Sequence, residues 1–192
     1  MVQFPRRDYD EIYRGRIWAY GDKPDPDFIR ALVTVRRGVA LDIAGGQGRH
    51  ALALAALGFD VTLVDSAPAG LHQAGVAARE GGLSINLVQA DLATYEPVRD
   101  VTVVCAALFF HIPTRRMSIK IATRLGAALE RGGLLYLSIP GYTSETRALA
   151  TDVMAAAGLK EKWTVKHLVT RKERPRLPVS RRNETRALGL KA

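Results

Sequence analysis

The stretch of sequence that decides the fold is Val39-Ala-Leu-Asp-Ile-Ala-Gly-Gly-Gln-Gly-Arg-His-Ala-Leu-Ala-Leu-Ala-Ala-Leu-Gly-Phe-Asp-Val-Thr-Leu-Val-Asp65. Its first five residues form a short apolar run, which predicts a buried strand of a parallel sheet. A turn with three glycines in four positions follows, and an Ala- and Leu-rich run then predicts a helix. A second apolar run predicts another strand that ends in Asp65. This order of elements places a ligand site at the carboxyl ends of parallel strands.

Outside this stretch, strands and helices continue to alternate. Short apolar runs predict strands over 85–89, 100–107 and 134–139, and helical spacing predicts helices over 67–79, 114–130 and 144–157. Before the stretch, Asp25-Pro26 starts a helix that Gly38 ends, and residues 7–20 form a short helix or ordered arm. After Leu159 the alternation stops, and residues 161–170 and 184–191 predict an antiparallel hairpin.

These elements predict an α/β fold. We expect a Rossmann-like three-layer sandwich with a seven-stranded, mostly parallel sheet and an antiparallel hairpin at its C-terminal end. Residues 1–37 form an N-terminal helical arm or lid, and residues 38–192 form the main part of what is a single domain overall.

The composition is that of an ordinary globular protein. The chain has 192 residues, of which 47% are apolar and 24% charged, enough for one domain with one full core. No run reaches the roughly 18 apolar residues that span a bilayer, and the N-terminus lacks the features of a secretory signal. We therefore expect a cytoplasmic protein that does not insert into membranes. The single cysteine, Cys105, excludes an internal disulfide and a cysteine-based zinc cage, and we expect no metal site.

The positive charge is concentrated near the C-terminus. The net charge is +9, and from Lys160 onward eleven Lys and Arg face three Glu, a local charge of +8. Such a segment is either a solvated face of the hairpin or a surface for nucleic acid, membrane or an acidic substrate. Trp163 is the only aromatic side chain there that is suited to base stacking, which favours the solvated face.

Polar residues at three strand ends suggest a nucleoside site. Gly45, Gly46 and Gly48 let the backbone approach a ligand closely, and the helix that follows directs free N–H groups toward it. Asp42 lies inside a buried strand and needs a partner, which the cationic amino-acid group of a cofactor would supply. Asp65 suits a ribose diol, although it or Ser66 could instead cap the next helix. Asp91, after the third strand, suits an adenine amino group.

On these residues the chain resembles the class I S-adenosylmethionine-dependent methyltransferases. The resemblance extends from about Gly38 to Leu159 and rests on five motifs: Leu41-Asp-Ile-Ala-Gly-Gly-Gln-Gly48, Val61-Thr-Leu-Val-Asp65, Gln89-Ala-Asp-Leu92, Val103-Val-Cys-Ala-Ala-Leu-Phe-Phe-His-Ile-Pro113 and Leu129-Glu-Arg-Gly-Gly-Leu-Leu-Tyr-Leu137. Among subgroups, the chain is most similar to small tellurite-resistance and thiopurine-methyltransferase-like proteins. Their short N-terminal lid carries Trp and Tyr, as Trp18 and Tyr20 would here.

The chain departs from the family pattern in two places. Gly45 and Gln47 replace residues that are more common in the glycine turn, which is tolerable if the backbone does the binding. The fourth strand ends in Ala106-Ala107-Leu108 and lacks the Asn-Pro-Pro-aromatic signature of enzymes that methylate amide or base nitrogens.

The resemblance implies S-adenosyl-L-methionine as cofactor and a role for each motif. Asp42, Ala44 and the three glycines hold the methionine portion, Asp65 and Ser66 the ribose, and Asp91 with the Leu92 amide the adenine, while Ala106 lies near the sulfonium. His111, just past the fourth strand, is either a general base or a loop residue that orients backbone. Cys105 is expected to be a small core residue.

The leading hypothesis is a methyltransferase acting on a small-molecule acceptor, because the chain is compact and has no added recognition domain. A second hypothesis is methylation of RNA or another polyanion that binds basic residues 160–191. A nicotinamide-dinucleotide oxidoreductase is a third, since Gly46-Gln-Gly48-Arg-His-Ala51 matches G-x-G-x-x-A; Asp42, Asp91 and the hairpin oppose it. A non-catalytic cofactor-binding homologue is the fourth. The sequence does not identify the acceptor or the oligomeric state.

Overall fold

One mixed sheet with helices on both faces organises the described residues. In the computed structural model these are residues 8–107, 114–140, 143–159 and 184–191. They contain the strands β1 Val39–Ile43, β2 Asp60–Asp65, β3 Asn86–Gln89, β4 Val101–Ala106, β5 Leu129–Pro140 and β6 Glu184–Leu190. Their helices are α1 Tyr9–Arg14, α2 Pro26–Ala31, α3 Arg49–Ala56, α4 Pro68–Glu80, α5 Arg115–Ala128 and α6 Ser144–Ala156, and a 3-10 turn, Leu32–Thr34, follows α2.

The strand order places the glycine turn at the point where the direction of winding reverses. The order is β3-β2-β1-β4-β5-β6, and the first five strands are parallel. The chain builds outward from β1 to β3 on one side and resumes at β4 on the other. Ligands bind in the crevice at such switch points. In the register, Asp42 on β1 lies opposite Leu63 on β2 and Cys105 on β4.

Alternation along β1 explains the layers. Leu41 and Ile43 pack into one core cluster with α5 and α6, whereas Ala40 packs into the other with α2, α3 and α4. Because successive side chains point to opposite faces of a strand, Asp42 lies on the Ala40 side, beneath α3. The predicted Rossmann-like α/β fold is confirmed, and the position of Asp42 follows from it.

The junction between α5 and β5 was predicted incorrectly. The helix expected over 114–130 ends at Ala128, and β5, expected from residue 134, begins at Leu129. Leu129 is buried and pairs with Val101 of β4, so tertiary pairing extends the strand back to the end of the helix. The C-terminal end of α5 is closed from another element, because Lys191 donates to the carbonyls of Gly126 and Leu129.

The C-terminal strand is present and antiparallel, as predicted, but the partner found for it is β5. Leu134 pairs with Leu190 and Leu137 with Ala187. The other predicted hairpin strand, 161–170, lies outside the described residues, which therefore contain six of the seven expected strands. Within the described ranges, no helix is both long and apolar enough to cross a bilayer. The division between an arm and a main part at residue 38 stays a prediction.

Candidate functional site

The turn between β1 and α3 has a backbone that side chains would obstruct. Gly46 and Gly48 have positive φ values of 55° and 82°, and Ala44 adopts φ 52° without being glycine. A Cβ on Gly45 would lie 2.1 Å from Leu63 Cδ1. Non-glycine residues adopt this backbone region at a cost and are concentrated at functional sites. The turn therefore exposes bare backbone, as the glycine pattern predicted.

Asp42 has a fully buried carboxylate, and one of its two oxygens lacks an N–H or O–H donor. Oδ2 accepts a 2.9 Å hydrogen bond from the Ala51 N–H in the first turn of α3. Oδ1 is buried and accepts from no N–H or O–H group; the Cys105 thiol is at most a weak donor to this carboxylate. Burial raises the pKa of Asp42 to about 7, against the lowering effects of the Ala51 N–H, the neighbouring Cys105 thiol and the Arg49 charge. A buried acceptor without a strong donor is costly.

Asp65 links the second strand to the glycine turn. Its Oδ2 accepts from the Gly46 N–H at 2.7 Å and its Oδ1 from the Ala67 N–H at 2.8 Å. Burial raises the pKa of Asp65, while these two amides lower it. Each carboxylate oxygen has a second lone pair, so the side chain is held in place and still has capacity for hydroxyl donors. Ser66 beside it is exposed.

Of the remaining predicted residues, Asp91 and Leu92 follow β3, and Ala106 ends β4. Asp91 is exposed, and its Oδ1 accepts from the Ala93 N–H at 2.8 Å. Among the described residues, no hydrogen bond links Asp91 to the glycine turn. Leu92 is half-buried against the core, and Ala106 is buried at the end of β4. His111, the predicted base, lies outside the described residues.

A cleft opens beside the glycine turn. Its walls come from the N-terminal arm, the turn, the start of α3 and the end of β4, and they comprise Tyr13, Tyr20, Gly21, Ala44, Gly45, Gln47, Gly48, Arg49, His50 and Ala107. Ala44, Gly45 and Gly48 were expected in this site, whereas Gln47, Arg49 and His50 were not.

Residues 8–25, which belong to the predicted N-terminal arm, are fastened to the glycine turn by side chains. Gln47 accepts from the Ala19 N–H at 2.7 Å and donates to the Arg16 carbonyl at 2.9 Å. Arg49 donates to the Tyr20 carbonyl at 2.9 Å. The expectation that the backbone of this turn binds the ligand stays a prediction, and the Gln47 side chain makes a separate contact with the arm. The polar residue inside a glycine turn was the available signal.

Tyr13 of the arm packs directly on the turn. A Cβ built on Gly46 would lie 2.4 Å from the Tyr13 hydroxyl oxygen. The Tyr13 carbonyl also accepts a 2.6 Å hydrogen bond from Gln73 on α4. The close spacing of tyrosines in residues 9–20 was visible in the sequence, but their target was not.

His50 connects the cleft to the C-terminal strand. Its Nε2 accepts from the Asp25 N–H at 3.2 Å, and the Asp25 carboxylate pairs with Arg186 of β6 at 2.6 Å. Burial and the charges of Arg49 and Arg186 hold the pKa of His50 well below its usual range. The imidazole is therefore neutral and carries its proton on Nδ1.

Asp42, His50 and Cys105 form a buried cluster whose potential ligand atoms lie within 4.8 Å of one another. The lone pair of the neutral imidazole already accepts from the Asp25 N–H, and the Arg49 charge extends to all three groups. The cluster is therefore better described as a hydrogen-bonding environment around Asp42 than as a cation site. Burial raises the pKa of the Cys105 thiol well above its usual range, which suits the predicted core role.

Solved structures share this fold over most of the chain. TehB from Haemophilus influenzae superposes with a TM-score of 0.72 at 16% sequence identity, over 88% of this chain and 63% of that one. Magnesium protoporphyrin IX methyltransferase from Synechocystis PCC 6803, solved with bound S-adenosylmethionine, gives 0.67 at 16%, over 97% and 98%. The chain therefore shares the fold of solved S-adenosylmethionine-dependent methyltransferases.

Sequence comparisons support the same class. Residues 40–133 match the family described as "Methyltransferase domain". The ubiquinone biosynthesis O-methyltransferase of Xanthomonas campestris is 32% identical over 127 residues, 65% of this chain and 52% of the relative. The chain thus spans about half the length of the curated relatives it matches. The match supports the predicted class, while the tellurite-resistance and thiopurine subgroup stays a prediction, since TehB at 16% identity shows the fold alone.

Proposed function

We propose that this protein transfers a methyl group from S-adenosylmethionine to a small-molecule acceptor. The observation that carries the proposal is the buried, unpartnered Oδ1 of Asp42 beside a bare glycine turn. A cofactor with an ammonium group would supply the missing donor. The resemblance to methyltransferases gives the same role to this aspartate.

The charges around the turn fit the zwitterionic end of that cofactor. Asp42, buried beneath the glycine turn, offers an anion to the ammonium group, and Arg49, which lines the cleft, offers a cation to the carboxylate. The free N–H groups at the start of α3 add a positive dipole end. Asp65, held in place by the Gly46 and Ala67 amides, offers acceptors to the ribose hydroxyls.

When bound, the cofactor would supply an electrophilic methyl group, which an acceptor nucleophile would attack in line while the methyl–sulfur bond breaks and S-adenosylhomocysteine leaves. The task of this chain is therefore to align the two reactants and exclude water. Residues 8–25 suit that task, because Tyr13, Gln47 and Arg49 join the arm to the turn. The proposed base, His111, matters only for an acceptor that arrives protonated with a high pKa.

A small acceptor is favoured by the arm that flanks the cleft. Tyr20 and Gly21 form one wall and Ala107 another. The curated relatives are named as O-methyltransferases, so hydroxylated aromatic compounds are the first acceptors to test, followed by thiols and amines.

Calorimetric titration tests the cofactor, and turnover tests the reaction. We expect S-adenosylhomocysteine to bind the wild-type protein and Asp65→Asn to weaken that binding by about tenfold or more, because a charged acceptor is lost. Asp60→Asn is the matched control, since Asp60 is exposed at the opposite end of the same strand. Binding of NADH without binding of S-adenosylhomocysteine would overturn the proposal.

For turnover, the protein is incubated with methyl-labelled S-adenosylmethionine and a panel of phenols, thiols and amines. Label should appear in a small product. Label found only in RNA or protein would contradict the small-molecule acceptor, and cofactor binding without any transfer would indicate a non-catalytic homologue.

A further inference from the structure

We infer that Arg124 is a positioning residue that fixes the orientation of the Asp91 carboxylate and thereby sets the preference of the site for adenine. The selectivity part of this inference rests on the proposed function. Arg124 lies on α5, far along the chain from the residues that were predicted to contact the nucleoside. Its link to them is made through the turn that follows β3.

The guanidinium of Arg124 is buried against that turn. Nη2 donates to the Leu92 carbonyl at 2.7 Å and to the Ala93 carbonyl at 3.0 Å. Nη1 contacts Glu96 at 3.0 Å, but the Glu96 side chain is 74% exposed and that of Arg124 only 15%. Since exposed ion pairs contribute little, the hydrogen bonds to the Leu92 and Ala93 carbonyls are the principal interaction of Arg124.

One rigid peptide unit, between Leu92 and Ala93, connects the Arg124 guanidinium to the Asp91 carboxylate. The Leu92 carbonyl and the Ala93 N–H belong to the same planar peptide group. Arg124 holds the carbonyl end, and the N–H end donates to Asp91 Oδ1 at 2.8 Å. Rotation of that peptide plane would move the donor and release the carboxylate, so the two hydrogen bonds support each other.

The backbone of the turn also forms hydrogen bonds with Asp91. The Asp91 carbonyl accepts from the N–H groups of Thr94 and Tyr95 at 3.0 and 2.9 Å. Asp91 is exposed and follows the end of β3, so a ligand can reach its carboxylate. The hydrogen bonds within the turn limit the directions in which that carboxylate can point. A guanidinium bonded to two successive carbonyls fixes that direction more tightly than a single point charge.

The test compares two ligands that differ at one position of the base. S-adenosylhomocysteine carries a 6-amino group, whereas S-inosylhomocysteine carries a 6-oxo group and keeps the sugar and amino acid. We expect Arg124→Ala to weaken binding of the adenosyl compound by about tenfold, the range for a hydrogen bond to a charged group, and to leave the inosyl compound within about threefold. Arg124→Lys should recover part of the ratio.

Two control variants separate this role from general effects of charge. Arg115→Ala removes another arginine of α5, one that pairs with Asp152. Glu96→Gln removes the exposed ion pair and leaves the carbonyl contacts in place. Both should keep the wild-type ratio of the two affinities. An equal loss for both ligands in Arg124→Ala, or an unchanged ratio, would overturn the inference.

A second readout needs no cofactor. Hydrogen exchange of the Ala93 amide in the free protein should be faster in Arg124→Ala than in the wild type and Arg115→Ala, because its acceptor is no longer held. Unchanged exchange would refute the link between Arg124 and Asp91. If the wild type bound neither nucleoside, the proposed function would be wrong and the selectivity claim would fall with it, while the exchange result would still decide the link.

Discussion

Replacing Asp42 with asparagine should stabilise the free protein at neutral pH and weaken cofactor binding at the same time. The side chain is fully buried, and burial raises its pKa from 3.8 to about 7. Asparagine keeps an acceptor for the Ala51 N–H but carries no charge that must be desolvated. The same change removes the anion proposed to bind the ammonium group, so stability and function should move in opposite directions.

The magnitude follows from proton linkage. Because the folded pKa of Asp42 lies above the unfolded value, the folded state binds more protons between pH 3.8 and 7, and stability falls as pH rises through that window. At about 1.36 kcal/mol for each pKa unit, the full penalty at pH 8 is about 4 kcal/mol, and about 2 kcal/mol of it develops between pH 5 and 7. An unpaired asparagine N–H would offset this by about 1–3 kcal/mol at every pH.

Urea denaturation of wild type, Asp42→Asn and the control Asp60→Asn, which removes an exposed aspartate on β2, at pH 5, 6, 7 and 8 measures this effect. The stability of Asp42→Asn relative to wild type should rise by about 3 kcal/mol from pH 5 to 8, and Asp60→Asn should show no comparable trend. In the same samples, affinity for S-adenosylhomocysteine should fall about ten- to a hundredfold in Asp42→Asn. A pH-independent difference would refute the account of a carboxylate that is costly to bury.

Three further changes probe the packing around the site. Gly46 has a positive φ and packs against Tyr13, so Gly46→Ala should lower the free energy of unfolding by about 1–3 kcal/mol and reduce cofactor affinity. Gly82 has a positive φ in open space, so the control Gly82→Ala should cost about 1 kcal/mol and leave affinity unchanged in the same urea or thermal assay. Arg186→Ala leaves the buried Asp25 carboxylate without its ion-pair partner and should destabilise by about 3–5 kcal/mol. Arg30→Ala removes the exposed partner of Asp27, which keeps Arg186, and should cost under about 1 kcal/mol; similar losses would argue against the buried pair. Gln47→Ala should speed hydrogen exchange in residues 8–21 without melting the sheet; unchanged exchange would show that its arm contacts do not hold the arm.

The chain from Arg186 to His50 shows how distant segments share one site. Arg186 lies on the last strand, Asp25 caps α2, and His50 lines the cleft at the start of α3. The Asp25 carboxylate pairs with Arg186, and the Asp25 N–H donates to His50 Nε2. This arrangement connects the C-terminal strand to the wall of the cleft through a single buried residue.

The order of elements and the central part of the site were predictable from the sequence. Alternating apolar runs and helical spacing predict a parallel sheet, and the glycines at 45, 46 and 48 predict a turn that only a bare backbone can make. Asp42 stood out because a carboxylate inside a strand lacks a solvent partner. These inferences depend on near neighbours in the chain, whose geometry local chemistry decides.

Only the tertiary structure decided which distant groups meet. The start of β5 at Leu129 follows from its pairing with Val101 rather than from helix propensity. The contacts of Gln47 with the arm and of Arg124 with the turn after β3 join residues about 30 positions apart, which no local pattern specifies. Side-chain hydrogen bonds across elements depend on how helices pack on the sheet, and the sequence specifies that packing only through the whole set of contacts at once.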